Sequence, residues 1–499
     1  MRPPRDRVRV TDMDVPETTA ADGGGPGPAG GCPVDHTAAA PTAARAAVPA
    51  TTLPGPKQPA LVQAFIYWNR PAAFLEECRE RYGSRFALSI RIPPKPLYVL
   101  TDHEDVRQMY LAPRDVLHTG RGSVTLEKFT GRTGLAWLDE DPHTTRRRLL
   151  MPSMRGRALE RVEASIAETA RQEVAAWPRG RTMAMHPLIH RVTLNVIRDV
   201  IFGSARPSCW PELLDVLQGM MRINDHMTSV VTIHKMSPGM VGLLSAIRPL
   251  GLHDFLRLRR RADALIGEAV EERRRSGVDG DDMLGVLLGI SHEDGSPLTA
   301  TELRDEMMTI FLAGTETTAA GISWALEYLT REDAIRERLL AEIDAGAGDA
   351  YLTAVVNEVL RLRPPLAMGI PRSVMKPIEI GGVRYERGDV LLACAHLVHR
   401  DPEVYPEPGA FRPERFLGAK PGTYTWIPFG GGPTHCLGLQ IGVFEMKTVL
   451  REVLSQYEVV RADPRPEATR SRIVVTVPAK GARMQLHARS PRTARLAVV

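Results

Sequence analysis

A single cysteine lies in a glycine-rich run near the end of the chain. The run PFGGGPTHCLG, Pro428 to Gly438, places Cys436 among four glycines and two prolines, directly ahead of a helical pattern. A lone cysteine beside such a loop is usually a buried, inert thiol. The other cysteines are scattered, at Cys32, Cys78, Cys209 and Cys394. Disulfide frameworks and zinc sites bring cysteines into close pairs, so we expect neither; scattered thiols indicate a reducing, cytoplasmic setting.

A second candidate lies inside a long helical pattern. The segment AGTETT, Ala313 to Thr318, contains a glycine and threonines, which are poor helix formers. Such a cost needs a compensating use, and Thr317 can bond a backbone carbonyl one turn earlier and open the helix ladder there. Taken alone, the segment is more typical of a surface turn of helix.

Charged residues give a third pattern. Glu358 and Arg361 share one helix face in the order E-x-x-R, a spacing that by itself describes many exposed ion pairs. The segment FRPERF, which contains Arg415, follows about 50 residues later. The basic runs at 146–148, 259–261 and 273–275 are expected to be solvated helix faces.

Composition indicates an ordinary globular protein. The 499 residues are 43% hydrophobic and 25% charged, and the net charge of +5 is small against 64 basic and 59 acidic side chains. Nothing therefore requires a nucleic-acid partner. The N-terminal MRPPRDRVRV has no apolar core behind it, so neither a secretory signal nor a transmembrane anchor is expected.

Three regions are predicted along the chain. Residues 1–56, rich in Pro, Ala, Gly and Thr, should form a disordered tail, in which Cys32 is by default a flexible-tail thiol. Residues 57–489 should form one domain. Residues 490–499 form a short C-terminal tail.

Periodicity predicts a mainly α domain with small β-sheets. One helix should cover PAAFLEECRERY and end at Gly83, and the longer amphipathic helices fall at about 156–176, 183–202, 254–276 and 299–329. Strands are predicted in RFALSI, PLYVLT, VRYERGDVLLA and RIVVTVPAKGARMQLHA. No G-x-G-x-x-G turn follows a strand, so no nucleotide-binding domain is indicated.

The cysteine run has the form F-x-x-G-x-x-x-C-x-G, and residues 57–489 resemble the cytochrome P450 superfamily. The resemblance implies the P450 fold, with haem b held between a long central helix and the cysteine loop. Cys436 would be the axial thiolate ligand of the haem iron, donating electron density that favours O–O cleavage. The loop's other cofactor contacts would be Phe429, which shields the sulfur, and Gly430 and Gly438, which let the macrocycle approach the backbone.

The resemblance also assigns roles to the other motifs. Ala313 and Gly314 would leave room over the haem face, and Glu316 with Thr317 would be the acid-alcohol pair that delivers protons to bound oxygen. The remaining charged motif, Glu358, Arg361 and Arg415, would close a buried structural triad. A structural role is also the preferred interpretation of His399.

Haem carries two propionates, which need cations or hydrogen-bond donors once buried. By resemblance, His143, Arg147 and Arg372 would supply them, whereas Arg146 and Arg148 should be solvated.

The chain departs from the family at Thr434, where Arg or His is usual, with His435 one position later. Since a threonine hydroxyl makes only a neutral hydrogen bond, we expect the three cations to carry the propionate charge and Thr434→Ala to be mild.

The implied function is a monooxygenase that inserts one oxygen atom from O2 into a hydrophobic small molecule. Electrons, ultimately from NAD(P)H, would come through a ferredoxin and its reductase, because no flavin or iron–sulfur module is encoded in the chain. A terpenoid-like natural product is the leading substrate hypothesis, and a monomer is expected.

Pocket walls are expected from the loop at 121–129, the methionine-rich stretch at 220–240, Ala313, residues 366–370 and the vicinity of Thr476. Core packing explains the same methionines equally well. Oxidative coupling, peroxide-driven oxidation or isomerisation remain alternatives, with a non-enzymatic haem sensor as a further one.

Overall fold

The computed structural model describes residues 47–90, 96–123, 126–154, 156–223, 252–277, 280, 282–346 and 348–489. Residues 1–46 of the predicted N-terminal tail at 1–56, which include Cys32, lie outside these residues, as does the predicted C-terminal tail at 490–499. So does most of the methionine-rich stretch.

Helices dominate the described residues. In chain order they are α1 (Ala60–Asn69), α2 (Pro71–Tyr82), α3 (His103–Leu111), α4 (Glu127–Thr130), α5 (Glu140–Leu150), α6 (Gly156–Ala175), α7 (Met185–Phe202), α8 (Trp210–Ile223), α9 (Leu252–Ser276), α10 (Met283–Gly289), α11 (Ala300–Leu329), α12 (Asp333–Ala345), α13 (Ala350–Leu362), α14 (Ala395–Val398) and α15 (Leu439–Gln456).

Short strands form small sheets. The strands are β1 (Val48–Pro49), β2 (Arg85–Leu88), β3 (Leu97–Leu100), β4 (Leu117–His118), β5 (Thr182–Ala184), β6 (Arg372–Val374), β7 (Ile378–Ile380), β8 (Val383–Tyr385), β9 (Val390–Ala393), β10 (Tyr457–Arg461), β11 (Thr469–Arg472), β12 (Val475–Pro478) and β13 (Arg483–Ala488). The largest sheet has the order β2-β3-β9-β6-β4. The others are β1-β8-β7, β10-β13-β5 and β11-β12.

The predicted mainly α fold is confirmed. The four long helices expected from periodicity are α6, α7, α9 and α11, each within two residues of its expected bounds. The expected start of the domain at residue 57 is too late. Strand β1 pairs with β8, and Ala50 is buried, so the chain joins the fold about ten residues earlier. A two-residue strand next to prolines has no periodicity by which the sequence could show it.

The longest helix, α11, runs through the core. Thr299 caps it in a reciprocal capping box with Glu302, which satisfies two of the amide groups that a helix start leaves unpaired. Its C-terminal half is buried nearly all round, around Trp324, because it packs on α7, α13 and α15. The fold thus places a rigid central helix beside the helix that follows the cysteine loop.

The expectation that the basic runs are solvated is wrong for one residue in each. Arg146, Arg259 and Arg273 are buried, and each pairs with an acid. Three consecutive residues span about 200° of a helix, so a run on a packed helix must turn one member inward. Arg148 is exposed, as predicted.

The charged triad is buried beneath the cysteine loop. Arg361 binds Glu358 through two hydrogen bonds of 2.6 and 2.8 Å, and both side chains are fully buried. Arg415 completes the triad 3.5 Å from the Glu358 carboxylate. Arg361 also donates to three carbonyls between His399 and Ala410, which explains the fixed separation of the two motifs.

His399 joins this triad to the cysteine loop. Its Nδ1 lies 3.0 Å from the Arg361 carbonyl, and the Ile427 amide donates to Nε2 at 2.7 Å. The accepted hydrogen bond requires a neutral ring whose proton is on Nδ1. Burial accordingly lowers the pKa of His399 to about 3.

We predict that His399 contributes to acid sensitivity. The unfolded imidazole titrates near pH 6.5 and the folded one near 3, so stability is complete above about pH 6.5 and falls with pH by about 1.4 kcal/mol per unit. His399→Gln should make the dependence of unfolding free energy on pH shallower by that amount between about pH 6.5 and 5. Urea denaturation across this range measures it, with exposed His487→Gln as control. An unchanged slope contradicts the assigned ring state.

Candidate active site

The cysteine loop is shaped by its glycines. Gly430 and Gly432 have φ values of 70° and 66°, in the left-handed region that side chains rarely adopt. A Cβ at Gly431 would lie 2.6 Å from the Tyr110 ring. These constraints fold the loop back so that the Cys436 amide donates to the Phe429 carbonyl at 3.0 Å.

The Cys436 side chain opens into a cleft. It is exposed, although protein surrounds the sulfur closely enough that desolvation raises the pKa of the thiol. The Gly438 amide and the charge of Arg147 oppose this rise. Phe429 packs beside the loop against Trp426, with ring centroids 5.9 Å apart. A thiol that is open on one side and stabilised by an amide and a cation suits a metal ligand.

The central helix presents two of the predicted residues to open space. Ala313 is exposed and Thr317 is partly so, and the Thr317 hydroxyl donates to the Ala313 carbonyl at 2.7 Å. The predicted bond to a carbonyl one turn earlier is therefore present, but the helix is continuous through this turn, and Thr315 and Thr318 make the same kind of bond.

Gly314 needs a correction. Its missing side chain was expected to leave room over a haem, but a Cβ there would lie 2.5 Å from Ile197. A residue without a Cβ is therefore needed here because α7 approaches α11 closely.

Glu316 points away from Thr317 into a buried polar cluster. Its carboxylate lies 3.0 Å from His186, 3.3 Å from His190 and 3.1 Å from Arg472. Burial raises the pKa of Glu316, but His186 and Arg472 outweigh burial and hold the pKa below its usual range. Burial lowers the pKa of His190 to about 4. The spacing of the histidines placed them on one helix face, but nothing in the sequence linked that face to Glu316.

A cleft beside the cysteine loop is lined by two of the three predicted propionate partners, His143 and Arg372; the third, Arg147, follows His143 by one helical turn on α5. The walls of the cleft also include Arg114 and Thr434, and the acids Asp139 and Glu140. No motif in the sequence singles out Arg114 or the two acids. Asp139 accepts from the Gly120 amide at 2.8 Å, and Glu140 lies 2.8 Å from His118, so both acids have partners of their own.

Arg372 is the best-fixed cation of this cleft. It donates to Thr434 Oγ1 at 2.8 Å and to the Gly431 carbonyl at 3.1 Å, and its guanidinium lies over the Tyr110 ring. Burial lowers the pKa of this guanidinium. His143 is also buried, and desolvation together with the charge of Arg147 lowers its pKa.

These residues fit a haem on two counts. Arg372 is buried, yet no carboxylate among the described residues forms an ion pair with it, so a propionate would supply the missing anion. Cys436 is exposed on the same loop, whose glycines would let a flat macrocycle approach the backbone. Thr434, where Arg or His is usual in the family, accepts a hydrogen bond from Arg372 and so helps to aim that cation.

An apolar cavity lies along the central helix. Leu312 and Thr315 line it on α11, with Phe129 of α4 and Met220 and Met221 of α8. Phe129 and these methionines were among the expected pocket walls. His190 is the ionisable side chain among the lining residues.

A sequence model described as Cytochrome P450 matches residues 54–486. The chain is 34% identical over 450 residues to a Mycobacterium tuberculosis protein that carries the name cytochrome P450 135B1, covering 87% of this chain and 91% of that one. It is 33% identical over 410 residues to the protein named cytochrome P450 137 of the same species, covering 81% and 83%. The chain therefore belongs to the cytochrome P450 family of haem-thiolate monooxygenases.

Solved structures agree in fold. Retinoic acid-bound cyanobacterial CYP120A1 superposes with a TM-score of 0.74 at 21% identity, covering 88% of this chain and 100% of that one. The cytochrome P450DA heme domain gives 0.73 at 21% identity, covering 90% and 99%. Enzymes of this family use haem, O2, electrons from NAD(P)H through redox partners, and hydrophobic substrates. Among the described residues, no helix is long and apolar enough to cross a membrane.

We predict that Arg372→Ala weakens haem retention far more than Thr434→Ala. Losing the buried cation leaves a propionate unpaired, which costs on the order of 3 to 5 kcal/mol and should raise the haem-loss rate roughly a hundredfold or more. Thr434→Ala removes one acceptor from Arg372, worth about 1 kcal/mol, so a few-fold change is expected.

Transfer of haem to an acceptor protein measures both rates. Arg148→Ala, an exposed arginine on α5, is the matched control. Equal loss from the Thr434 and Arg372 variants would make Thr434 a principal propionate partner and contradict this account.

Proposed function

We propose that this chain oxidises an apolar small molecule, a natural product such as a terpenoid, with Cys436 as the thiolate ligand of haem b. The observation that carries the proposal is an exposed thiol on a glycine loop whose neighbouring buried arginine has no carboxylate partner among the described residues. Bound haem would supply reductive activation of dioxygen, one atom entering the substrate and the other leaving as water. The residues of the chain provide the surroundings of that chemistry.

The cation set orients the cofactor. Arg372, held by Thr434 and the Gly431 carbonyl, would pair with one propionate, and His143 and Arg147 would serve the other. Phe429, Gly430 and Gly438 would surround the sulfur, where the Gly438 amide favours its anionic form.

Thr317 would hold the water through which a proton is delivered to the reacting oxygen. Its hydrogen is committed to the Ala313 carbonyl, so the lone pairs of its oxygen remain to hold a water beside the open face of Ala313. Glu316, whose pKa is held below its usual range, would stay ionised and fix His186 and Arg472 behind the helix, so it would act by positioning the helix rather than by direct contact with the reacting atoms. The acid and the alcohol of this pair therefore lie on different faces of the same helix.

The substrate would occupy the apolar cavity and extend toward Ala313. Apart from His190 and Thr315, its walls are aliphatic, aromatic and methionine side chains, which favour an irregular hydrocarbon over a charged ligand. We propose that a ferredoxin and its reductase supply the electrons, with exposed Arg148 among the residues of the docking face, and that the chain acts as a cytoplasmic monomer.

Thr317→Ala should uncouple electron use from oxidation. Without the hydroxyl, productive protonation slows, so product per NAD(P)H should fall about tenfold or more and hydrogen peroxide should accumulate. The assay uses a ferredoxin–reductase pair, an apolar substrate chosen by its shift of the ferric Soret band, and ¹⁸O₂ to count incorporated oxygen. Thr318→Ala is the control, because that hydroxyl bonds the Gly314 carbonyl on the buried side. Unchanged coupling in Thr317→Ala would show that this threonine is structural.

A further inference from the structure

An acid on the first half of the central helix binds a glycine-flanked loop. Asp305 accepts from the amides of Arg132 and Thr133 at 2.9 and 3.1 Å, and from the Thr133 hydroxyl at 2.8 Å. Its carboxylate is buried, and Arg304 donates to the other oxygen at 2.9 Å. Three donors of one short loop thus meet a single buried charge.

The loop is built for this contact. Gly131 has a φ of 79°, and a Cβ there would collide with the Asp305 carboxylate. A Cβ at Gly134 would lie 2.7 Å from the Thr309 hydroxyl. Glycine at both positions lets the loop backbone reach the helix.

A second acid extends the contact. Glu306 accepts from the Leu135 amide at 2.9 Å and from Arg146 at 3.2 Å, so the loop and α5 are bound to the same turn of α11.

The loop begins two residues after a wall of the apolar cavity. Phe129 is buried, lines that cavity with Met308 of α11, and packs edge-to-face on Phe255 of α9 at 4.8 Å. Because the chain from Phe129 to Thr133 is short, the bonds to Asp305 restrict where the Phe129 ring can lie.

We propose that Asp305 is a positioning residue for the substrate cavity: by binding the loop from Gly131 to Gly134, it holds Phe129 as the cavity wall and so sets affinity for elongated apolar ligands. The inference rests on the proposed apolar substrate. Asp305 acts through the loop and touches neither substrate nor cofactor.

Two probes separate this role from haem binding. Imidazole needs only the iron, whereas 1-dodecylimidazole adds an alkyl chain that must fill the cavity. Optical titration of ferric protein gives the ratio of their Kd values. In Asp305→Ala we expect imidazole binding within about twofold of wild type, while the preference for the dodecyl probe falls about tenfold or more, since hydrogen bonds to a charged group are each worth more than tenfold in an equilibrium constant.

Graded variants and an independent readout accompany the titration. Asp305→Asn and Thr133→Val should give smaller losses, and Glu127→Gln, which removes a neighbouring pair with exposed Arg132, should give none. Hydrogen exchange should accelerate at the amides of Arg132 and Thr133 in Asp305→Ala and stay slow in the Glu127 control.

The proposal is overturned if loop exchange does not change, if it accelerates without any loss of dodecyl preference, or if both probes weaken equally. Wild-type protein that binds neither probe through iron would instead refute the proposed haem enzyme. Hydrogen exchange would still decide whether Asp305 holds the loop.

Discussion

A thiol that must stay open to a cofactor cannot be held in place by burial of its own side chain. The cysteine loop has little else to pack, because four of its residues are glycine. Its position therefore depends on groups outside it: the Tyr110 ring against Gly431, the bond from Arg372 to the Gly431 carbonyl, and the bond from the Ile427 amide to His399. These contacts join the loop to the triad and to Arg372, so one framework fixes both Cys436 and the cation that would pair with a propionate.

The faces of the central helix, α11, have different surroundings. Ala313 and Thr317 face open space, whereas Gly314 approaches α7 and Glu316 enters a charged cluster with α7 and β11. The same turn of α11 therefore has one face open to space and another that is tightly packed. Nearer its start, the same helix binds the loop after α4 through Asp305 and Glu306. The same helix therefore carries Thr317, for which we propose a role in proton delivery, and the acids that bind the loop beside the apolar cavity.

The sequence predicted the features of the structure that depend on residues close together in the chain. Helix periodicity located α6, α7, α9 and α11, and the resemblance of the motifs to the family correctly grouped Glu358, Arg361 and Arg415. The sequence did not predict contacts between segments that are far apart in the chain. Arg146 is buried because its side chain reaches Glu306 of α11, 160 residues later in the chain. We expected the missing side chain of Gly314 to make room for a haem, whereas it makes room for α7. The sequence shows that a Cβ is missing at this position but not which part of the protein approaches it. His186 and His190 were missed for the same reason.

The central claim is that Cys436 supplies the thiolate. The absorption spectrum of the reduced, carbon-monoxide-bound protein tests it most directly, because a trans thiolate shifts the Soret band to the red. Wild type and Cys209→Ser, whose thiol bonds the Leu265 carbonyl, should show that band. Cys436→Ser should lose either the red-shifted band or the haem itself. A thiolate-type spectrum that survives in Cys436→Ser would contradict the account.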